Sequence, residues 1–218
     1  MNRPLHTVIL VAALAAAGGC SATQPVAPVR GGETVLLSSL GGPVIPLDGL
    51  AIPAPYVTLG AVHGVTEDVS VYGNVHVTAA LFKNAGLDAG VVTDIVTGEG
   101  AVPSVSVNGR GYFFWDVGRG GKEPRFFPAV TLAARSATGE RSAFFLGADN
   151  LFQLHRFYYI ISPFAGFRFP LSASVTAQTE VKWLGANKET RHGIFEGATS
   201  VGGHGGLGLF LSVDMEMP

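Results

Sequence analysis

The chain has 218 residues, with 14 Lys and Arg against 16 Asp and Glu, for a formal net charge of −2. This balance argues against a nucleic-acid partner, which would require clustered basic residues. Only 14% of the residues are charged and 30 are glycine, whereas an average soluble domain carries ~25% charged residues. The composition therefore differs from that of an ordinary soluble domain.

The first twenty residues, MNRPLHTVILVAALAAAGGC, resemble the signal peptide of a bacterial lipoprotein. Arg3 provides a positive start, residues 8–17 are apolar but too short to span a bilayer, and small residues lead to Cys20. Ala17 stands where such motifs most often have Leu. The resemblance implies a signal peptide over residues 1–19 and a diacylglycerol on Cys20. Ser21, rather than Asp, resembles the sorting pattern of lipoproteins sent to the outer membrane of Gram-negative bacteria.

Cys20 is the only cysteine of the chain, so intrachain disulfides and cysteine metal clusters are excluded. We expect no cofactor apart from the covalent lipid. Residues 20–32 are rich in Pro and Gly, which predicts a lipidated, flexible tether. Residues 33–218 are then sufficient for one domain.

Apolar and polar residues alternate with a period of two along this domain, which predicts β-strands. The pattern is clearest over residues 173–184, where Val175 and Val181 share a face opposite Gln178, Glu180 and Lys182. It recurs over 68–82 and 207–216. Weaker versions occupy residues 56–63, 87–96, 104–116, 126–136, 141–151 and 158–169, and the two faces of 141–151 are ambiguous. The fold class is therefore all-β.

The predicted strands are about ten residues long, as a tilted strand crossing a bilayer requires. Aromatic residues stand near strand ends, including Trp115, Trp183 and Phe167, which fits girdles at the two membrane interfaces. Residues 56–73 (YVTLGAVHGVTEDVSVYG) resemble the first hairpin of small outer-membrane β-barrels, and residues 163–187 resemble a late one. The alternative is a soluble, periplasm-facing sandwich or lipocalin-like barrel that binds an apolar ligand, with Val175, Val181 and Leu209 facing its core.

The connections alternate between long and tight, which predicts an antiparallel up-and-down barrel. Residues 185–204, 152–157 and 117–125 form the longer links, and 170–172 and 137–140 the tight ones. Bacterial barrels keep short turns in the periplasm and have even strand numbers. An early strand over 33–40 would make ten strands and place both ends of the domain in the periplasm. Eight strands is the alternative.

The polar faces predict an interior of paired charges, since a barrel of this size is filled by side chains or holds something small. We expect a structural or narrow-pore role, with outer-membrane lipid as partner and room for a small solute. We expect no enzyme, because catalytic motifs are lacking, and no metal site, because lone loop histidines such as His192 and His204 are usually solvated. The candidate lumen-facing residues are Asp94, Asn108, Arg110, Arg168, Gln178, Glu180 and Lys182.

Overall fold

Ten antiparallel strands close into a barrel, and each barrel strand is paired on both sides. The structure is a computed structural model that describes residues 23–47, 50–99, 102–118, 124–154, 158–190 and 197–217. A short eleventh strand, β2, pairs only with the end of β1. The expected all-β, up-and-down barrel is therefore confirmed, with ten strands rather than eight.

The strands follow one another around the barrel in chain order, apart from the short β2. They are β1 (Thr34–Leu47), β2 (Leu50–Pro53), β3 (Tyr56–Gly64), β4 (Val69–His76), β5 (Asn84–Val96), β6 (Ser104–Asp116), β7 (Arg125–Ala137), β8 (Ala143–Gln153), β9 (Tyr158–Pro170), β10 (Val175–Glu189) and β11 (His204–Glu216).

The early strand closes the barrel. β1 pairs with β3 on one side and with β11 on the other, in a register that sets Val35 against Glu216. It extends beyond the expected 33–40, because its second half leaves the barrel ladder and forms a hairpin with β2 through Val44 and Pro53. Closure gives each of the ten described barrel strands a neighbour on both sides, which removes the exposed edges of an open sheet.

The predicted alternation is visible in the burial of the barrel strands, most clearly on β4, β6 and β7. On β10, Thr176, Gln178, Glu180 and Lys182 are buried while the residue between the last two, Val181, is exposed. Burial also distinguishes the two faces of segment 141–151, which the sequence leaves ambiguous. Its strand begins at Ala143, and Phe145 and Asp149 lie on the buried, inward face.

One expected strand ends earlier than its alternation predicts. Residues 68–82 divide into β4 and a short helix, α1 (Val77–Leu81). A hydrogen bond to Thr78 stabilises the end of the strand at this point. The Thr78 hydroxyl accepts it from the Val57 backbone N–H at 2.8 Å. The five residues VTAAL alternate like a strand but include two alanines, which favour a helix. Among the described residues, no helix is long and apolar enough to cross a membrane.

The two ends of the barrel differ in their connections. At one end, here called the short-turn end, lie the turns 65–68, 138–142 and 171–174, the end of β5 and start of β6, and the start of β1 and end of β11. At the other, the long-loop end, lie β2 and α1; there β6, β8 and β10 end, and β7, β9 and β11 begin. The longest connection is shorter than the expected 185–204, because β10 continues to Glu189.

Candidate functional site: the barrel interior

The centre of the interior is a charged cluster built on β6, β8 and β10. The Arg110 guanidinium Nη2 donates to Asp149 Oδ2 at 2.9 Å and lies over the Tyr112 ring, 4.6 Å from its centroid. Asp149 also accepts a hydrogen bond from the Thr131 hydroxyl at 2.8 Å. Because a buried charge is tolerated only with partners, this arrangement keeps both ions paired.

Lys182, on β10, extends the cluster toward β9 and β11. Its ammonium lies 3.0 Å from Glu180 Oε1 and 3.7 Å from Asp149 Oδ2, and it is fully buried. The rings of Phe164 and Phe210 face it with centroids at 5.2 and 5.5 Å. Arg110 and Lys182 balance Asp149 and Glu180, so the four charges sum to zero.

The remaining candidate residues also lie on the inner wall. Asn108 accepts a hydrogen bond from the Tyr72 hydroxyl at 2.7 Å. Asp94 pairs with Arg135, and Arg168 pairs with Asp214 at 3.1 Å. Gln178 is buried, and its amide nitrogen has no hydrogen-bond partner among the described residues. All seven candidates thus lie on the inward-facing side of their strands. Of the seven, only Arg110, Glu180 and Lys182 belong to the central charged cluster.

A second buried network, around His76, was not among the candidates. The Tyr56 hydroxyl lies 2.6 Å from His76 Nδ1, and His76 Nε2 lies 2.8 Å from Asp88 Oδ2. Asn74 donates to the other oxygen of Asp88 at 2.8 Å. The polar parity of β4 holds Asn74 and His76 and could have identified them. Asp88 could have been identified in the same way, since it lies on the same face of β5 as the candidate Asp94.

Aromatic rings fill the interior between these two networks. Tyr112 and Phe114 on β6 are buried beside His76, whose ring centroid lies 5.0 Å from that of Phe114. Phe145 and Phe164 are buried on the opposite wall, with centroids 6.1 Å apart. Aromatic side chains therefore occupy much of the interior, with Tyr112 and Phe114 nearer the long-loop end and Phe145 nearer the short-turn end.

The chain before β1 occupies part of the interior toward the short-turn end. Residues 23–30 are part of the expected flexible tether, yet Thr23, Gln24 and Val26 are buried inside the barrel. The segment leaves at the short-turn end, where Gly31 forms a parallel bridge with Gly64. Residues 23–30 of the predicted spacer thus run inside the barrel without forming a helix or strand, and the inner wall supplies polar partners for them.

Two cavities border this internal segment. A gap of about 20 Å³ lies between Gln24 and Ser39, which is room for about one water molecule. A wider cavity of about 540 Å³ opens at the short-turn end around Arg30, Arg141 and Glu216. Its arginines face acidic partners, as in the 2.6 Å pair of Arg141 with Glu216, so the charges around the mouth balance.

Cys20 is the expected lipidation site, and His192 and His204 are the histidines that we expect to be solvated. Cys20 and His192 lie outside the described residues. His204 begins β11 on the exposed surface, with its ring Nδ1 3.2 Å from the Gly202 carbonyl. Within the described part of the chain, no group of His, Cys, Asp and Glu has the arrangement of a metal site.

Comparisons with known proteins rest on structure alone. No protein-family model and no curated protein sequence matches the chain. Among solved structures, an outer membrane channel from Pseudomonas putida F1 has 9% identity and a TM-score of 0.46, and covers 89% of this chain and all of that one. The translocator domain of the autotransporter NalP from Neisseria meningitidis has 10% identity, a TM-score of 0.46, and coverages of 87% and 90%.

A third solved structure is Ail, the attachment invasion locus protein of Yersinia pestis. It is 8% identical with a TM-score of 0.29, and the match covers 86% of this chain and all of that one. By its own strand order and closure, the chain is a ten-stranded antiparallel up-and-down β-barrel.

Proposed function

We propose that this chain is an integral outer-membrane β-barrel, held in addition by a lipid on Cys20. The observation that carries the proposal is the apolar outer surface. Every barrel strand exposes large apolar side chains on its outward parity; one from each is Leu36, Leu59, Val71, Leu87, Phe113, Leu132, Leu146, Phe167, Val181 and Leu209. A surface of this kind in water would far exceed the few hundred Å² that soluble monomers expose.

Outward aromatic residues support the same location. Near the long-loop end, Phe113 and Phe126 pack with ring centroids 4.7 Å apart, and near the short-turn end Phe167 and Phe169 stack at 6.0 Å. On β9, Tyr159 and Phe167 are eight residues apart, or about 27 Å along a strand. After a tilt of ~40°, that separation is about 20 Å, close to the ~25 Å apolar band of such barrels.

The soluble alternative requires the opposite orientation. A lipocalin-like barrel binds its ligand among apolar inward residues and exposes polar ones. In this barrel Val181 and Leu209 are 48% and 38% exposed, whereas Glu180 and Lys182 are buried. This distribution favours the membrane barrel, since lipid is a better solvent than water for the outward face.

The filled interior supports a structural role, or at most a narrow passage. Residues 23–30 occupy part of the interior near the short-turn end, and aromatic and charged side chains occupy much of the rest. A small solute has room in the cavity of about 540 Å³ at the short-turn end. We further propose that the chain is not an enzyme, since the Tyr56–His76–Asp88 network is buried and braces β3, β4 and β5.

The short-turn end is proposed to face the periplasm, with the start of β1 on that side. Barrels of this class keep their short turns there and their longer loops outside. The outer-membrane destination inferred from Cys20 and Ser21 agrees with this orientation.

The membrane barrel is tested with a Cys20→Ala chain, which removes the lipid as a cause of membrane retention. We expect the unlipidated protein to stay in the envelope until detergent is added. We also expect the unheated sample to migrate faster in SDS gels than the boiled one, because a closed barrel stays compact. A Cys20→Ala protein that is freely soluble without detergent contradicts the proposal.

A further inference from the structure

The inner wall binds residues 23–30 through side chains, not through the sheet ladder. Asn108 Nδ2 donates to the Pro25 carbonyl at 3.2 Å, and the Ser106 hydroxyl donates to the Val26 carbonyl at 2.8 Å. The Ser70 hydroxyl accepts from the Val29 N–H at 2.9 Å. Because the barrel strands already satisfy one another, the segment can leave without breaking any ladder of the closed barrel.

The segment itself is suited to this kind of binding. Its sequence, TQPVAPVR, contains Pro25 and Pro28, which have no backbone N–H to leave unsatisfied in a buried site. Prolines also favour the extended polyproline conformation, in which carbonyls point outward to partners. Val26 supplies the apolar contact by packing with Ala133, Phe145 and Phe164.

Gln24 fixes the deep end of the segment. Its side-chain oxygen accepts a hydrogen bond from Arg110 Nη2 at 2.6 Å, and its amide nitrogen donates to the Thr131 hydroxyl at 3.2 Å. Both wall residues keep another partner, Asp149, if Gln24 leaves. Departure therefore exposes no unpaired buried charge on these two residues, which is the usual obstacle to emptying a polar interior.

We propose that the inner wall is a peptide-binding site whose resident ligand is this chain's own segment 23–30, bound reversibly. The site is formed by Ser70, Ser106, Asn108, Arg110, Thr131 and Arg135. The Arg135 guanidinium Nη1 donates to the Val26 carbonyl at 3.4 Å. Its ligand class is an extended, proline-containing peptide with a glutamine at one end. The inference rests on the proposed barrel, and its test reports on barrel formation separately.

Ser39 is a suitable reporter of occupancy. It lies on the inner wall beside Gln24, is buried, and its hydroxyl has no hydrogen-bond partner among the described residues. In the Cys20→Ala background, Ser39→Cys introduces the only cysteine. A water-soluble thiol reagent then measures whether the segment covers the wall, and Ser172→Cys in an exposed turn controls for reagent activity.

The experiment compares the intact chain with a variant lacking residues 23–30, both purified in detergent. We expect labelling of Ser39→Cys to be roughly tenfold faster in the deletion variant, because local opening governs access to buried sites. Adding the synthetic peptide TQPVAPVR should slow it again, whereas a scrambled peptide should not. Ser172→Cys should react equally in both chains.

Two results would overturn the proposed binding site. One is fast labelling of Ser39→Cys in the intact chain, and the other is failure of the peptide to protect the deletion variant. An intact chain without heat-modifiable migration contradicts the proposed barrel instead.

A deletion variant that loses heat-modifiable migration while the intact chain keeps it overturns reversible binding, since the segment would then be part of the folded core. The full-length variant Val26→Asp tests occupancy without deletion. A carboxylate among Ala133, Phe145 and Phe164 should displace the segment and accelerate the labelling of Ser39→Cys.

Discussion

At the scale of single residues, inward glycines make room for the aromatic rings of the lumen. A Cβ atom on Gly86 would lie 2.5 Å from the Phe114 ring. A Cβ on Gly166 would overlap the Phe145 ring and the Thr179 carbonyl. These glycines are required for close approach, since nothing larger than hydrogen fits between the strand and the ring opposite.

Gly166→Ala should therefore destabilise the barrel. The added methyl must displace a buried ring and a backbone carbonyl, and overpacking of this kind costs about 1–3 kcal/mol. Gly139→Ala is the matched control, because its Cβ would meet only the Ser142 side chain at 3.6 Å, and it should change stability by less than ~0.5 kcal/mol. Guanidinium unfolding in detergent measures both; equal midpoints would show that Phe145 can move aside.

Residue identities allowed part of the interior to be predicted. The alternation on β10 is regular, so Glu180 and Lys182 could be assigned to the polar face from the sequence. Asp149, the partner of Arg110, could not be assigned, because Phe144 and Phe145 place aromatic side chains on both faces of the same strand. Partner choice depends on which strands become neighbours, which a single strand does not reveal.

At the scale of elements, each barrel strand faces two different environments, the surroundings of the barrel on one side and its packed interior on the other. On β7, Leu132 faces outward at 50% exposure while its neighbour Ala133 is buried. Position along the strand then decides how much an outward charge costs. The middle of a strand faces hydrocarbon, and its ends face the interfaces.

Leu132→Arg should reduce the free energy of unfolding in lipid vesicles by about 2–4 kcal/mol, since it places a charge near the bilayer midplane. Ser136→Arg is the control on the same face of β7, four residues nearer the short-turn end. Its cost should be about 0–1 kcal/mol, because the side chain can reach the interface. A denaturant titration in vesicles compares them, and equal costs would argue that this surface does not face lipid.

Strand positions were largely predictable and strand ends were not. Alternation predicts where side chains point, but it continues through residues that leave the ladder. Val77, Ala79 and Leu81 keep the parity of β4, yet they belong to α1, where Leu81 is exposed and Ala79 is buried. The Thr78 contacts that end the strand come from residues 55 and 57, a tertiary constraint without a local signal.

At the scale of the whole molecule, the two ends of the barrel can be distinguished by trypsin. The connection 190–203 contains Arg191, and the turn 138–142 at the opposite end contains Arg141. With the short turns in the periplasm, intact cells should be cleaved after Arg191 but not after Arg141, and permeabilising the outer membrane should expose the second site. Mass spectrometry of the fragments measures this. Cleavage after Arg141 on intact cells would reverse the orientation.

The number of strands could be predicted only from the whole chain. An even strand count, with both ends of the domain on the periplasmic side, required a strand before residue 56, and β1 is that strand. The position of residues 23–30 could not be obtained in this way. Proline and glycine predict only that a segment forms neither helix nor strand, and the partners that order it lie 41 to 109 residues away in sequence.

The depth of Gln24 also limits where a lipid on Cys20 could be. Four residues span at most about 14 Å. Gln24 contacts Arg110, six residues from the short-turn end of β6, or about 15 Å along the barrel axis at ordinary tilt. A lipid must then also pass around the wall to reach the leaflet. Contact of Gln24 with Arg110 and insertion of the acyl chains at the short-turn side therefore compete for the same few residues.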